Sequence, residues 1–339
     1  MRQFELVAPK TFEKHEVPIP EPSLGEVRIA VKSVGICGSD IHAYYGEHPF
    51  MSFPIVLGHE CSGVVEKIGT GVTRLSVGDR VVLRPQDVCG KCRPCREGRY
   101  NICESLKVLG CQSAGGCSDY YVAKEELFYR IPDKIGFGEG TMIEPLAVAV
   151  HAVKRAGTVE GKKVLVLGAG TIGNLVAQSA KGLGASTVMV TDVSEEKLSM
   201  ALNCGVDYAV DILKEDLGKV IKEKFGEDGV DVVYECTANP GALNQMLSIA
   251  GKGIPMVIVG VFAGMPSINL ANVQDREYEL LGTLMYVEND YLESIRLIEE
   301  GNINLKILIT GEYPIEELQK AYQYIEEHKD TAQKLILNI

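Results

Sequence analysis

Four cysteines, Cys89, Cys92, Cys95 and Cys103, fall within 15 residues. Four thiolates at that spacing can close a tetrahedral shell on one Zn²⁺. A shell made wholly of protein leaves no open position, so such a site is structural. Gly90, Pro94 and Gly98 suit a loop, and Lys91 and Arg93 offset the negative charge of a zinc tetrathiolate. A redox CxxC pair does not use four cysteines in this way. An iron–sulfur cluster is also held by thiolates, and spacing alone leaves it open.

A second group is Gly168-Ala169-Gly170-Thr171-Ile172-Gly173. It follows the apolar run Val164-Leu165-Val166-Leu167 and opens a helix predicted from about Thr171 to Leu183, which is the context a dinucleotide fingerprint requires. The glycines allow a tight turn and close approach of backbone to a pyrophosphate, and the helix N-terminus offers unpaired N–H groups. Gly168, Gly170, Ile172 and Gly173 are therefore cofactor candidates. Asp192 closes the next apolar run, 19 residues after Gly173. A carboxylate there accepts from ribose hydroxyls and repels a 2′-phosphate, which favours NAD over NADP. Lys197 is close enough in sequence to reach the same ribose. The competing reading is a glycine-rich turn that binds nothing, with Asp192 capping the next segment.

Cys37 and His59 are further zinc-capable residues, and the nearby Gly35, Gly38 and Gly58 let backbone approach closely. Glu60 follows His59. Glu144 lies in Ile143-Glu144-Pro145-Leu146, where a carboxylate is costly unless it meets a cation or a donor. Taken singly, Cys37 reads as a small core residue, His59 as a satisfied histidine and Glu144 as a helix-start acid.

The surrounding chain has to bring these groups together. It has 339 residues, 46% apolar and 24% charged, which suits two folded domains. The stretch to about Pro132 is rich in short β-type runs separated by Pro and Gly. From Gly161 apolar strands alternate with helices, which implies a parallel sheet covered on both faces. The expected class is α/β: a Rossmann-type doubly wound sheet plus a β-rich domain. The net charge of −12 gives no basic footprint for nucleic acid. No apolar run reaches the roughly 18 residues of a membrane span, and the N-terminus has no secretory pattern. A cytoplasmic protein with neither membrane nor nucleic-acid partner is expected. Ten cysteines without an export signal then read as ligands or packing groups sooner than as disulfides. Cys61, Cys111, Cys117, Cys204 and Cys236 are assigned to packing.

Gly58-His59-Glu60-x2-Gly63-x5-Gly69, the cysteine loop, Glu144-Pro145-Leu146, the glycine fingerprint and Asp192 follow one another as they do in the zinc-containing medium-chain alcohol dehydrogenases. The chain resembles that family nearly end to end. Gly35-Ile36-Cys37-Gly38-Ser39-Asp40-Ile41-His42 resembles its polyol, threonine and sugar-acid branch. The resemblance implies a GroES-like catalytic domain from residues 1–147 and 284–339, split by a Rossmann NAD-binding domain at 148–283. It implies two Zn²⁺ per chain, a catalytic one at Cys37, His59, Glu60 and Glu144 and a structural one in the loop 89–103. Which of Glu60 and Glu144 binds directly stays open. It also implies that Ser39 touches the substrate oxygen, that His42 passes the proton to solvent, and that the chain is a homo-oligomer, a tetramer or dimer.

The expected reaction is hydride transfer from a secondary alcohol, a small molecule, to NAD, giving a ketone. Zinc chemistry supplies its driving element, because the ion lowers the pKa of a bound water to about 7 and a bound alcohol responds in the same sense. Tyr286 falls where sorbitol-type enzymes carry a pocket tyrosine, and Met285 replaces an arginine of the animal enzymes. A polyol, a sugar acid and a short diol all remain open. The alternatives are a non-catalytic NAD-binding protein, which the intact Cys37, His59, Glu60 and Glu144 oppose, and a metal-free quinone reductase, which the cysteine loop and Asp192 oppose.

Overall fold

A computed structural model describes the chain in full, Met1–Ile339. Two compact units result. Met1–Glu144 with Ile309–Ile339 form the first, and Pro145–Leu308 form the second.

The first unit is built on the strand Glu26–Gly35, most of whose residues are buried. That burial follows from its neighbours. It pairs antiparallel with Glu60–Ile68, with Tyr120–Lys124 and with the C-terminal strand Lys334–Asn338. Arg80–Leu83 and Phe128–Arg130 extend the sheet on one side, and Ile309–Pro314 extends it beyond the C-terminal strand. Leu6, Ile29, Val65, Leu83, Phe128 and Leu337 meet in one apolar core. Ile336 lies opposite Gly35, and Ile36 N–H donates to Leu335 O at 3.0 Å, so the end of the chain is stitched beside Cys37.

The second unit carries a six-stranded, all-parallel sheet. In spatial order its strands are Tyr208–Asp211, Thr187–Asp192, Lys163–Leu167, Val232–Glu235, Pro255–Ile258 and Glu279–Gly282. Numbered along the chain this is 3-2-1-4-5-6, the doubly wound order of a Rossmann fold, with the strand order reversing beside Lys163–Leu167. Helices Thr171–Gly182, Glu195–Asn203, Leu217–Phe225 and Pro240–Ile249 make the crossovers. Their apolar faces cover the strands, so Val164, Leu165, Val188, Val190, Val232 and Val233 have no exposed surface. No helix is long and apolar enough to cross a membrane.

The expected return of the chain at residue 284 falls instead at Ile309, and the other boundary at Glu144 rather than 147. The reason is a set of polar ties that fastens residues 284–308 to the second unit. His151 Nδ1 lies 2.7 Å from Asp290 Oδ2, and Lys154 Nζ lies 3.1 Å from Asp290 Oδ1. Asn304 N–H donates to Gln178 Oε1 at 2.7 Å. Such ties link residues more than a hundred positions apart and leave no periodic trace.

Asp290 also accepts from Val287 N–H at 3.1 Å, at the start of helix Glu288–Glu299. Burial alone would raise its pKa, but His151, the Val287 amide and Lys154 outweigh that, and the net direction is down. A carboxyl depressed in the folded state contributes stability above its unfolded pKa, and that stability is lost as pH falls through the folded value. Asp290→Asn should therefore cost about 2 kcal/mol at neutral pH. The difference from the parent should shrink as pH drops below about 4, read by urea unfolding across that range.

Candidate active site

Cys37 ends the turn after strand Glu26–Gly35 and caps helix Gly38–Tyr44 in an extended conformation. His59 and Glu60 sit where strand Glu60–Ile68 begins. The register Gly35↔Glu60 brings the two segments together. One ligand-capable atom from each of Cys37, His59 and Glu60 lies within 4.8 Å of the others. A Cβ on residue 35 would sit 2.2 Å from Glu60 Oε2, so only glycine leaves room for that carboxylate. His59 is 5% exposed and Glu60 0%.

Three residues that the sequence did not single out complete this centre. Lys334, at the head of the C-terminal strand, is 4% exposed. Its Nζ donates to Glu60 Oε1 at 2.7 Å, to Glu60 Oε2 at 2.6 Å and to Ile36 O at 3.1 Å. Burial alone would lower its pKa, but Glu60, Cys37 and Glu144 outweigh that and the net direction is up. Asp40 is also buried; its Oδ2 accepts from Cys37 N–H at 2.9 Å and its Oδ1 lies 3.4 Å from His59 Nδ1. Cys111, assigned to packing, has its sulfur 3.7 Å from the same ring nitrogen. Burial opposes charge on His59, yet Asp40 and Cys37 raise its pKa well above the ordinary value.

Glu144 does not join the three. It is 4% exposed on helix Ile143–Arg155 and contributes as a second acid near Lys334. Ser39 is half-buried in the first turn of helix Gly38–Tyr44, and the His42 side chain is 66% exposed, 4.0 Å from Glu47. Tyr286 is fully buried, with its ring centroid 5.5 Å from that of Tyr291.

The cysteine loop also converges. The sulfurs of Cys89, Cys92, Cys95 and Cys103 all lie within 4.8 Å of one another. A short ladder, Gln86–Asp87 with Lys107–Val108, closes its base. The amides of Cys92 and Ser105 donate to Cys89 and Cys103 at 3.3 and 3.4 Å. Amides of Lys91 and Cys92 bring the Cys89 thiol down to about 6, while burial and the neighbouring thiols push Cys95 up to about 12. Four thiols this close cannot all ionise without a cation among them.

In the second unit, Gly168 has φ of +94°. A Cβ on residue 173 would lie 1.9 Å from Gly168 O, which explains both glycines. A pocket of about 480 Å³ opens over the turn, and Gly168, Gly170, Asp192 and Lys197 line it. Gly173 is buried beneath the turn, and Ile172 is not part of the lining. Asp192 is itself held: Oδ2 accepts from Ala169 N–H at 2.7 Å, and Oδ1 from Val193 and Ser194 N–H at 2.8 and 3.0 Å. Cys236, another residue assigned to packing, also lines the pocket, close against the glycine turn.

Residues 23–133 match the alcohol dehydrogenase GroES-like domain, and residues 171–300 match the zinc-binding dehydrogenase domain. The chain is 33% identical to sorbitol dehydrogenase of Bacillus subtilis over 331 residues, covering 95% of this chain and 92% of that one. It is 36% identical to 2-dehydro-3-deoxy-L-galactonate 5-dehydrogenase of Pseudoalteromonas atlantica, covering 94% and 93%. The chain belongs to the zinc-binding medium-chain alcohol dehydrogenases. Among solved members, an alcohol dehydrogenase of E. coli CFT073 in complex with NADH superposes with a TM-score of 0.92 at 30% identity, covering 100% of this chain and 99% of that one. Membership of this dehydrogenase family makes the protein a zinc-dependent, NAD-linked oxidoreductase acting on secondary alcohols.

Lys334 is the group on which this dehydrogenase's metal-capable centre leans. Removing one partner of a buried ion pair typically costs about 3–5 kcal/mol, because the other charge is left uncompensated. Lys334→Met should lower stability by that amount in urea unfolding, and Lys334→Met with Glu60→Leu should recover most of it.

Proposed function

We propose that this dehydrogenase oxidises a polyol, a sugar acid or a related hydroxy compound at a secondary carbon, with NAD as hydride acceptor and two Zn²⁺ per chain. The observation that carries the reading is the convergence of Cys37, His59 and Glu60 within 4.8 Å, with His59 and Glu60 buried and Cys37 partly exposed. A thiolate, an imidazole and a carboxylate are a donor set for catalytic zinc, which keeps one position for a water or substrate. Glu60 is favoured over Glu144 as the third ligand because only Glu60 belongs to that cluster. Bound there, Zn²⁺ acts as a Lewis acid and makes the substrate hydroxyl easier to deprotonate.

The chain's own residues prepare that step. Asp40 takes the Nδ1 side of His59 and so turns Nε2 to the metal. Ser39, two residues after Cys37, takes the substrate proton as it releases its own toward solvent, and exposed His42 is the group that hands a proton out. Gly168 and Gly170 admit the pyrophosphate, and Asp192 and Lys197 hold the adenosine ribose. Cys89, Cys92, Cys95 and Cys103 hold the structural ion. The enzyme acts in the cytoplasm as a homo-oligomer. Relatives that act on sorbitol and on a sugar-acid derivative support the substrate class.

Zinc content per chain together with NADH formation over sorbitol, xylitol, inositol, butanediol, threonine and sugar acids tests the reading. Two ions and NAD-linked turnover on at least one alcohol are expected, with turnover at background in Cys37→Ala. Zero zinc with quinone reduction would refute it. Cys92→Ser should lose the structural ion alone. Asp40→Asn should cost about 10–100-fold in metal affinity or activity.

A further inference from the structure

Glu235 is the last residue of strand Val232–Glu235 and has no exposed surface. A carboxylate buried this completely needs donors for both oxygens. It forms no ion pair. Oε1 accepts from Thr237 N–H at 2.7 Å and from the Thr237 hydroxyl, and Oε2 accepts from Ala238 N–H at 3.2 Å. Every donor therefore comes from the next three residues, so the side chain folds back on the turn that leaves the strand.

That turn is unusual. Ala238 has φ of +53°, a left-handed conformation that L residues rarely adopt without support. Gly260 is packed against its other side: a Cβ on residue 260 would lie 2.5 Å from Ala238 N and 2.8 Å from Glu235 Oε2. Asn239, which follows, has its N–H bound to the Thr237 hydroxyl at 2.9 Å and caps helix Pro240–Ile249 with its own side chain.

The turn also faces the dinucleotide fingerprint. Thr237 Cγ2 would be 2.9 Å from a Cβ on residue 168, and Cys236 N–H donates to Leu167 O at 2.9 Å. Thr237, Asn239 and Gly241 line the 480 Å³ pocket together with Gly168 and Gly170. Glu235 itself does not line the pocket.

We propose that Glu235 is a positioning residue for NAD: its carboxylate locks the left-handed turn Thr237–Ala238 and so sets the width of the dinucleotide pocket. The proposal rests on the reading that this pocket takes NAD. With the turn locked, Thr237 and the start of helix Pro240–Ile249 meet the cofactor without rearrangement, and binding avoids the ordering cost of a loose wall. In Glu235→Gln one oxygen becomes an NH2 that faces N–H donors, and the turn loses part of its support.

The test compares parent and variants as zinc-loaded enzyme. NAD affinity is measured by titration, and kcat and the KM for NAD with a turned-over alcohol. Glu235→Gln is expected to raise the dissociation constant and KM for NAD about tenfold, with kcat at saturating NAD within twofold and zinc content unchanged. Adding Ala238→Gly, which adopts the same conformation without strain, should restore part of the affinity. Glu235→Asp keeps the charge, does not alter the pocket lining and shortens the reach to the Thr237 and Ala238 amides; it should weaken NAD severalfold, and it decides the matter if Glu235→Gln does not fold. Unchanged NAD affinity in the folded variants, with only a lower melting temperature, would overturn the proposal. A parent enzyme that binds no NAD would instead overturn the reading beneath it.

Discussion

The buried contact between Lys334 and Glu60 is the constraint around which the first unit is organised. A carboxylate with no access to water is tolerated only if its charge is met, and here one ammonium meets both oxygens at 2.6 and 2.7 Å. That requirement fixes other choices. Residue 35 must be glycine, since any side chain would occupy the place of Glu60 Oε2. The C-terminal strand must lie next to strand Glu26–Gly35, since its first residue supplies the cation. Ile36 O takes the third proton of the ammonium, so backbone and side chains close the same network. A buried pair of this kind adds little net stability, and its value lies in specifying one arrangement. The arrangement it specifies is an acid held beside a thiolate and an imidazole.

Most of what was legible in the sequence was local. The cysteine loop, the glycine turn and Asp192 each occupy a short window in which spacing dictates geometry: the four sulfurs lie within 4.8 Å of one another, and Asp192 lines the pocket over the glycine turn. The alternation of apolar strands and helices after Gly161 reads directly as a parallel sheet. What escaped were contacts across long separations. Lys334 was not singled out, because its partner stands 274 positions away. Cys111 looked like a packing thiol, and only folding places it on His59. Residues 284–308 gave no sign that His151 and Gln178 would hold them. One signal was available: Glu144, set in Ile143-Glu144-Pro145-Leu146, called for a cation or a donor, and Lys334 is the cation whose charge it feels.

A common device runs through both units. Asp40, Asp192, Glu235 and Asp290 are shielded acids, and each accepts from backbone N–H groups at the turn that opens a neighbouring helix or loop. Unpaired amides at such turns are partial positive charges, so they help to stabilise an acid there, and at Asp290 the Lys154 ammonium adds to them. The second function differs from case to case: Asp40 turns a ring, Asp192 faces the pocket, and Asp290 anchors a helix. Backbone thus holds these acids still while one face of each remains free for its task.

The first unit draws on both ends of the chain, whereas the second is continuous from Pro145 to Leu308. Translation proceeds from the N-terminus. Lys334 follows Leu308 by 26 positions, so while the second unit emerges, Cys37, His59 and Glu60 are already made and the ammonium is not yet free to reach Glu60. Until it is, residues 33–35 of the central strand also lack the partner that the strand Lys334–Asn338 supplies, while residues 26–30 already pair with Tyr120–Lys124. A nascent chain at this stage holds the second unit complete while the centre of the first still lacks Lys334, so the strand Lys334–Asn338 is the piece that closes that centre.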